Sequence, residues 1–509
     1  MTRWQQWWKG WSREDNMKNT VIECVAEHAA NKPNQVAIIE HNRVTTYEEI
    51  FSMAVHCSAF LETKDVQRGD IVVTRASQDL EYAVLYLGIH LAGGVVASQE
   101  RTISDKAMVD VARQLNAAAI IAEDWNMELP SSIHLIDRKE VVKFAKDDDI
   151  KCSEIIFPDP EDSADILFTT GTTGKSKGVE LTHQALMATA ENLIYGCEYK
   201  EDTILIVPGP LNHANAIRKL YTTFVNGSTI YILNGMMNLK NFFDALDMPN
   251  SKIACCLPPS AIRTIFQLTK DKLGEYWDKI DFIETATSPL PEADKQKLCE
   301  LLPRTRLYNN YGLSESASVC MYDYNKYPGK KNCVGKVARN AKVIIVDDQR
   351  RPIHSSHDNT GLLACVGAMN MKGYIGDPAL TSQVLVDGVV YTNDIGFVDN
   401  DGFVYVTGRK GDVINVGGLK VAPTEVEAAA LEYPSICDCI CIPVDDETSG
   451  KALKLLVVME KEQVCNPAKI RKFLSLRLES YKIPHYYEQT DSIARTYNGK
   501  LNRLFYCQK

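Results

Sequence analysis

Short β-branched runs such as Val36-Ala37-Ile38-Ile39, Ile71-Val72-Val73 and Ile204-Leu205-Ile206-Val207 alternate along the chain with longer stretches whose apolar residues recur every three to four positions, among them Thr46 to Leu61 and His183 to Tyr195. Strands covered on both faces need no polar alternation, and helices spaced between them supply crossovers. From Val21 to about Gly408 the pattern therefore predicts layered α/β structure with largely parallel sheets. The stretch Tyr82 to Ser98 is uncharged but spans only 17 residues and contains His90 and Gly93-Gly94. It is too short and too interrupted for a membrane span and reads as buried helix, turn, strand.

After Gly408 the pattern changes. A Gly-rich loop leads to Pro423-Thr424-Glu425 opening a helix, then to strands from Ile436 to Val444 and Leu453 to Met459, then to a helix from Pro467 to Ser480. This predicts a compact α+β unit of about 100 residues. At the other end, Trp4, Trp7, Trp8 and Trp11 share one face of a helix, with Arg3, Gln5, Gln6 and Lys9 mostly opposite. Such a face suits a membrane interface or a docking partner, yet the segment is short, Gly10 weakens it, and packing on its own domain is the favoured expectation. The expected organisation is a Trp-rich segment over 1–20, a large unit over 21–410 and a small unit over 411–509.

Composition narrows the function classes. A chain of 509 residues with 45% hydrophobic and 24% charged residues folds as two or more units rather than staying disordered. The net charge of −10 gives no electrostatic basis for general nucleic-acid binding. Fifteen scattered cysteines without a secretory leader predict reduced thiols in a cytoplasmic protein. Cys437, Cys439 and Cys441 alternate along an expected strand and read as buried thiols on one face, with no fourth ligand for a metal nearby. His354 and His357 lack a carboxylate or thiol partner and read as an exposed turn.

The densest chemical signal is Ile166-Leu167-Phe168-Thr169-Thr170-Gly171-Thr172-Thr173-Gly174-Lys175-Ser176-Lys177-Gly178-Val179. An apolar strand runs into glycines that let backbone N–H groups close on an anion, threonine hydroxyls that donate, and lysines that add charge. That combination suits a polyphosphate. Gly174-Lys175-Ser176 invites a Walker-type reading, but that motif needs glycine at position 169, which is threonine.

This loop resembles the phosphate loop of the adenylate-forming superfamily, which includes acyl-CoA synthetases, nonribosomal adenylation domains and beetle luciferases, and further segments follow in that family's order. Pro210-Leu211-Asn212-His213 is similar to the segment whose histidine lies at the acid pocket, and Thr285-Ala286-Thr287-Ser288-Pro289-Leu290-Pro291 to the adenine-side loop. Tyr308-Asn309-Asn310-Tyr311-Gly312-Leu313-Ser314-Glu315, Thr392-Asn393-Asp394-Ile395-Gly396, Gly408-Arg409-Lys410-Gly411-Asp412 and Arg495-Thr496-Tyr497-Asn498-Gly499-Lys500 complete the set. By this resemblance Asn309 would bond the adenine amine, Tyr311 would stack on the base with Thr287 and Gly312 beside it, and Ser314 would face the α-phosphate. Glu315 would hold Mg2+, Asp394 the ribose hydroxyls, and Arg409 the ribose and phosphate. Gly411 would be the point about which the small mobile domain turns, and Lys500 would bridge the substrate carboxylate and the α-phosphate. These roles fit the residue types: hard cations take carboxylate oxygens, and a planar base takes an aromatic face. The sequence departs from the family pattern at Ser176, usually proline, at Asn393, usually glycine, and at Ala286, often glycine. The last would shorten or narrow the acid pocket.

The resemblance implies ATP-dependent activation of a small carboxylic acid to an acyl-adenylate, then transfer to a thiol. Gly417-Gly418-Leu419-Lys420 resembles the acyl-CoA ligase form of its segment, where missing side chains leave a channel for the pantetheine arm of CoA. ATP, Mg2+ and CoA are thus the expected small partners, and a homodimer is the default assembly. A stand-alone adenylation enzyme loading a carrier protein is the alternative; a luciferase-like oxidase and a non-enzymatic docking protein are weaker ones. The surroundings of Asn212, His213, Asn215, Ala286, Ala317 and Ser318 are small and polar and lean towards a short or polar acid.

Overall fold

The computed structural model describes residues 20–147, 155–170, 176–249, 252–416, 419–446, 450–495 and 501–507. The Trp-rich segment therefore lies outside the described residues. The chain enters the fold through a reciprocal cap, in which Thr20 and Glu23 satisfy each other's backbone N–H groups at the start of helix Val21–Asn31. Helix Tyr47–Thr63 begins with the same device, using Thr46 and Glu49.

Two large sheets carry the architecture. In the larger, strands Val36–Glu40, Thr229–Ile232, Thr203–Val207, Lys252–Cys256, Ile280–Thr285 and Arg306–Leu313 lie side by side in parallel. The smaller joins Ile71–Arg75, Val95–Gln99, Ala119–Ala122, His134–Asp137 and Ser163–Thr170 in the same sense. The parallel expectation holds for these cores alone. From Arg306–Leu313 onward the larger sheet continues antiparallel through Ala317–Asp323, Cys333–Val337, Phe403–Arg409, Val389–Val398, Gly361–Gly367 and Ala341–Val346. The tight turn from Leu313 to Ala317 is too short for a helical crossover, so the chain folds straight back.

The main core lies between the two sheets. Ile38, Leu205, Ile230, Ala254 and Phe282 face it from one sheet, and Val72, Val96, Ala119, Ala164 and Val179 from the other. Helices Leu80–Leu91, His183–Gly196 and Ala214–Asn226 fill the gap and are buried nearly all round. Alternate strand residues point outward to two further cores, one with Phe242, Ile262 and Leu298, the other with Met108, Val109 and Ala112. Tyr82 to Ser98 is the expected helix, turn and strand. No described helix is long and apolar enough to cross a membrane.

The C-terminal portion has its own core of Ile414, Val421, Val426, Cys439, Leu453, Leu455, Ile470 and Leu474, over a sheet of Ile436–Asp446, Gly450–Met459 and Tyr486–Gln489. Helix Pro423–Leu431 starts on proline as expected. The helix expected from Pro467 to Ser480 stops at Leu474, because Leu474 is its last fully buried apolar residue and Leu476 is 77% exposed. Leu478 still packs on this core, but from the irregular stretch that follows the helix. Cys439 and Cys441 are buried, whereas Cys437 is half-buried beside a register shift between Ile436 and Asp438. His354 and His357 are exposed, with Nδ1 of His357 at 3.0 Å from the Asp358 carboxylate.

Candidate functional site

Parallel strands all end at one edge, and ligands in such folds collect there. Strand Thr203–Val207 runs into Asn212 and His213, Ile280–Thr285 into Ala286 and Thr287, Arg306–Leu313 into Ser314 and Glu315, and Ser163–Thr170 into the glycine–threonine loop. Residues distributed between Ser163 and Glu315 are thereby brought to the carboxyl ends of two sheets.

The loop closes a hairpin. Strand Ser163–Thr170 pairs antiparallel with Ser176–Thr182, Thr169 opposite Lys177 and Thr170 opposite Ser176. Gly171, Thr172, Thr173, Gly174 and Lys175 lie outside the described residues. The hairpin is anchored below by Asp165, which is almost fully buried and accepts from the Tyr86 hydroxyl at 2.9 Å, with Nε2 of His90 at 3.0 Å. Gly178 is required on the return strand, since a Cβ there would stand 2.6 Å from the Ile375 side chain.

Around the nucleotide-side candidates the polar contacts form one chain. The Tyr311 hydroxyl donates to Oδ2 of Asp394 at 2.6 Å, and Nε of Arg409 lies 3.0 Å from Oδ1 of the same carboxylate. Asp394 and Arg409 face each other across their strand pair. Asp394 is 8% exposed, and its backbone N–H donates to Thr392 Oγ1. Burial, and then the neighbouring Asp394, push the Tyr311 hydroxyl well above its usual range, so it stays a donor. Asn309 is half-buried and pairs with Thr285 on the adjacent strand. Thr287 has φ 78°, a left-handed conformation rarely adopted by a β-branched residue. Gly312 follows a bulge and nearly touches the Ala317 carbonyl; an added Cβ would meet that oxygen at 1.5 Å, so only glycine fits.

Glu315 has a partner that the motifs did not flag. Tyr374, in the short strand Gly373–Tyr374 beside the loop hairpin, donates its hydroxyl to Oε1 of Glu315 at 2.7 Å. Lys177 Nζ stands 5.7 Å from the centre of the same ring. Arg218, another residue missed from sequence, donates to the Leu313 carbonyl at 2.7 Å and holds the turn that carries Ser314 and Glu315. A buried arginine in the second turn of an apolar helix was the signal that pointed to it.

Among the acid-pocket candidates, His213 caps helix Ala214–Asn226 by accepting the Asn215 N–H at 3.2 Å. Asn215 in turn donates to the Cys256 sulfur at 3.2 Å. Desolvation, reinforced by Glu284, pushes the Cys256 thiol up to about 12, so it remains protonated and is no nucleophile. Asn212 is half-buried, Ala286 is buried, and Ala317 is fully buried against Val319 and Ala188.

Three candidates stand apart from this edge or beyond description. Gly417 and Gly418 lie outside the described residues, between strands Ile414–Val416 and Leu419–Val421, which pair antiparallel; Leu419 is half-exposed. Lys500 also lies outside them, but Arg495 and Leu501 form a bridge on either side of its segment. Beyond it, Arg503 grips buried Glu427 with two bonds of 2.6 and 2.8 Å. Gly411 has open space around its Cα and no strained backbone. No cluster of three or more metal-binding side chains occurs among the described residues.

Comparison with known proteins adds to this geometry. A family model for the AMP-binding enzyme matches residues 25–375, and one for the AMP-binding enzyme C-terminal domain matches residues 425–500. The chain is 23% identical to 4-coumarate-CoA ligase 1 of Narcissus pseudonarcissus, over 91% of this chain and 88% of that one. It is 26% identical to a long-chain-fatty-acid–CoA ligase of Bacillus subtilis, over 95% and 93%. Among solved structures, ATP-bound MatB from Rhodopseudomonas palustris superimposes with a TM-score of 0.85 at 20% identity, covering 96% of this chain and 99% of that one. The o-succinylbenzoate CoA synthetase MenE of Bacillus subtilis, in complex with its acyl-adenylate intermediate, gives 0.83 at 19% identity, covering 96% and 98%.

Proposed function

Because the chain belongs to the AMP-binding enzyme family, we propose that it is an acid–thiol ligase that activates a carboxylic acid with ATP and passes the acyl group to coenzyme A. In the first half-reaction a carboxylate oxygen attacks the α-phosphorus, the bond to the bridging oxygen breaks, and pyrophosphate leaves. In the second the CoA sulfur attacks the acyl carbon and AMP leaves. The observation that carries the reading is the Tyr311–Asp394–Arg409 chain set beside Glu315 at the carboxyl edge of the parallel strands. The named relatives, which are CoA ligases, support the choice of thiol.

The contacts and residue types support the following division of labour. Asp394 presents a carboxylate to two ribose hydroxyls, and its bond to Tyr311 fixes the plane of a ring able to stack on adenine. Arg409 is half-exposed, held at Nε by Asp394, and carries a guanidinium of the kind that binds phosphate oxygens. Glu315 and the hydroxyl-rich loop are oxygen donors of the kind Mg2+ accepts, and the bound ion would neutralise charge on the phosphates. His213 stands at the mouth of the acid side. Lys500 would place its ammonium where charge accumulates on the pentacoordinate phosphorus. The small unit, divided from the large one at residues 410 and 411, would turn about Gly411 to exchange Lys500 for the Gly417-Gly418-Leu419-Lys420 face, which would admit the pantetheine arm. We place the protein in the cytoplasm, where thiols stay reduced; the thirteen described cysteines are all free.

The test is pyrophosphate release by the purified chain with Mg-ATP and a panel of carboxylic acids, with and without CoA, beside Lys500→Ala. The expected result is acid-dependent release, a thioester only when CoA is present, and a loss of about a hundredfold or more in adenylation for the variant. Acyl-AMP formation that ignores CoA would transfer the thiol role to a carrier protein. Release by no acid would defeat the reading.

A further inference from the structure

Directly behind the acid side the fold buries a complete ion pair. Lys219, in helix Ala214–Asn226, and Glu284, in strand Ile280–Thr285, are both fully inaccessible, with Nζ 2.7 Å from Oε1. Lysine and glutamate are almost never fully buried unless paired, and such a pair is often replaceable by apolar residues without loss of stability. Folding alone therefore gives no reason for it.

Its surroundings are the candidate acid site itself, one residue removed. His213 is joined through Asn215 to Cys256, and Cys256 stands opposite Glu284 in the strand register. Ala286 follows Glu284 by two positions on the same chain. Asn310, between Asn309 and Tyr311, donates to Oε1 of Glu284 at 2.9 Å and to the Ser318 hydroxyl at 3.1 Å, and Ser318 follows Ala317. Asn192 donates to the Ser318 carbonyl at 2.9 Å. Oε2 of Glu284 and Oδ1 of Asn310 are buried without a hydrogen-bond partner, and Lys219 Nζ, 2.7 Å from Oε1, is held by charge without an aligned hydrogen bond. Asn215 through Cys256, Ala286 through its own strand and Ser318 through Asn310 are thus linked to this pair.

We infer that the Lys219–Glu284 pair is the floor of the acid pocket and sets the substrate class as short carboxylic acids, excluding extended apolar acyl chains. The inference rests on the acid-activating reading above. Two effects combine. Side chains held in a mutual ion pair and by Asn310 cannot swing aside to lengthen the pocket. A methylene chain pressed on desolvated charges and unpartnered acceptors would also seal them from any water or donor able to satisfy them, which is costly.

The experiment measures kcat/KM for acid-dependent pyrophosphate release by the full chain with acetate, butyrate, hexanoate and dodecanoate. The wild-type protein should use acetate or butyrate and be at least about a hundredfold poorer with dodecanoate, each unaccommodated methylene being worth roughly tenfold or more. The double variant Lys219→Ala/Glu284→Ala removes both charges together and empties the floor. It should shift the hexanoate-to-acetate ratio about tenfold towards hexanoate while Mg-ATP binding, read by calorimetry, is unchanged. Wild-type turnover of dodecanoate within tenfold of butyrate overturns the inference even if the variant does not fold. So does a folded variant that keeps the wild-type ranking of chain lengths. If no acid drives release from protein that binds Mg-ATP, the acid-activating reading fails first and the floor assignment falls with it.

Discussion

Tyr374 and Glu315 are 59 positions apart, yet one hydroxyl proton joins them. If Glu315 receives a metal–phosphate complex as proposed, it gains from being held in one rotamer beforehand, since its side-chain entropy is then already lost. Tyr374→Phe keeps the ring beneath Lys177 and deletes only the donor. A hydrogen bond to a charged group is worth about 1.5–3 kcal/mol, so Mg-ATP affinity should fall roughly ten- to a hundredfold, while melting without nucleotide moves by no more than about 2–4 °C. Calorimetric titration decides it: affinity equal to wild type would mean that Glu315 needs no orienting partner. The residues of the motifs were legible because glycine, threonine, lysine and paired tyrosines in that order have few other uses. Tyr374 and the Lys219–Glu284 pair were not, because a tyrosine in a short glycine-flanked segment, or a lysine inside a helix, looks like ordinary core or surface until its partner from another strand is in place.

At the scale of elements, helix His183–Gly196 begins where the loop hairpin ends. Thr182 caps it, and His183 is its first residue, 1% exposed with neither ring nitrogen bonded. Burial first, then His90 and Arg68, hold the His183 imidazole well below its ordinary range. The unfolded chain therefore binds a proton at a pH where the folded chain does not, and stability rises with pH through that interval. It should be complete above about pH 7 and decline as pH falls below about 6.5, the ordinary histidine value. Thermal melts from pH 7 to pH 5 should show this fall, with a smaller slope in His183→Gln; an unchanged slope would assign the effect to other groups. The same scale shows where periodicity misleads. The apolar spacing after Pro467 continues to Leu478, but Leu476 finds nothing to pack against and the helix ends at Leu474.

Over the whole molecule, the C-terminal portion is docked by a few polar contacts. Arg263, itself paired with Asp294, donates to the Cys437 carbonyl at 3.1 Å, and Lys331 reaches Glu432, which Arg477 also holds. Contacts of this kind, exposed or part-buried, are worth about 1 kcal/mol each, a scale compatible with the proposed turning of this unit. Arg263→Ala should raise the rate of tryptic cleavage after Arg409 or Lys410 about three- to tenfold in the ligand-free protein, with circular dichroism unchanged. An unaltered rate would show that Arg263 does not hold the two portions together. By itself the sequence determined the α/β layering, the separate α+β unit and the family, because hydrophobic period and short phosphate-binding segments are local properties that survive without knowledge of neighbours. Only the tertiary structure decided which strands run antiparallel, which side chains stand behind the acid-pocket candidates, and which tyrosine bonds Glu315. Those depend on register and crossover, where residues distant in the chain meet, and no local pattern encodes the meeting.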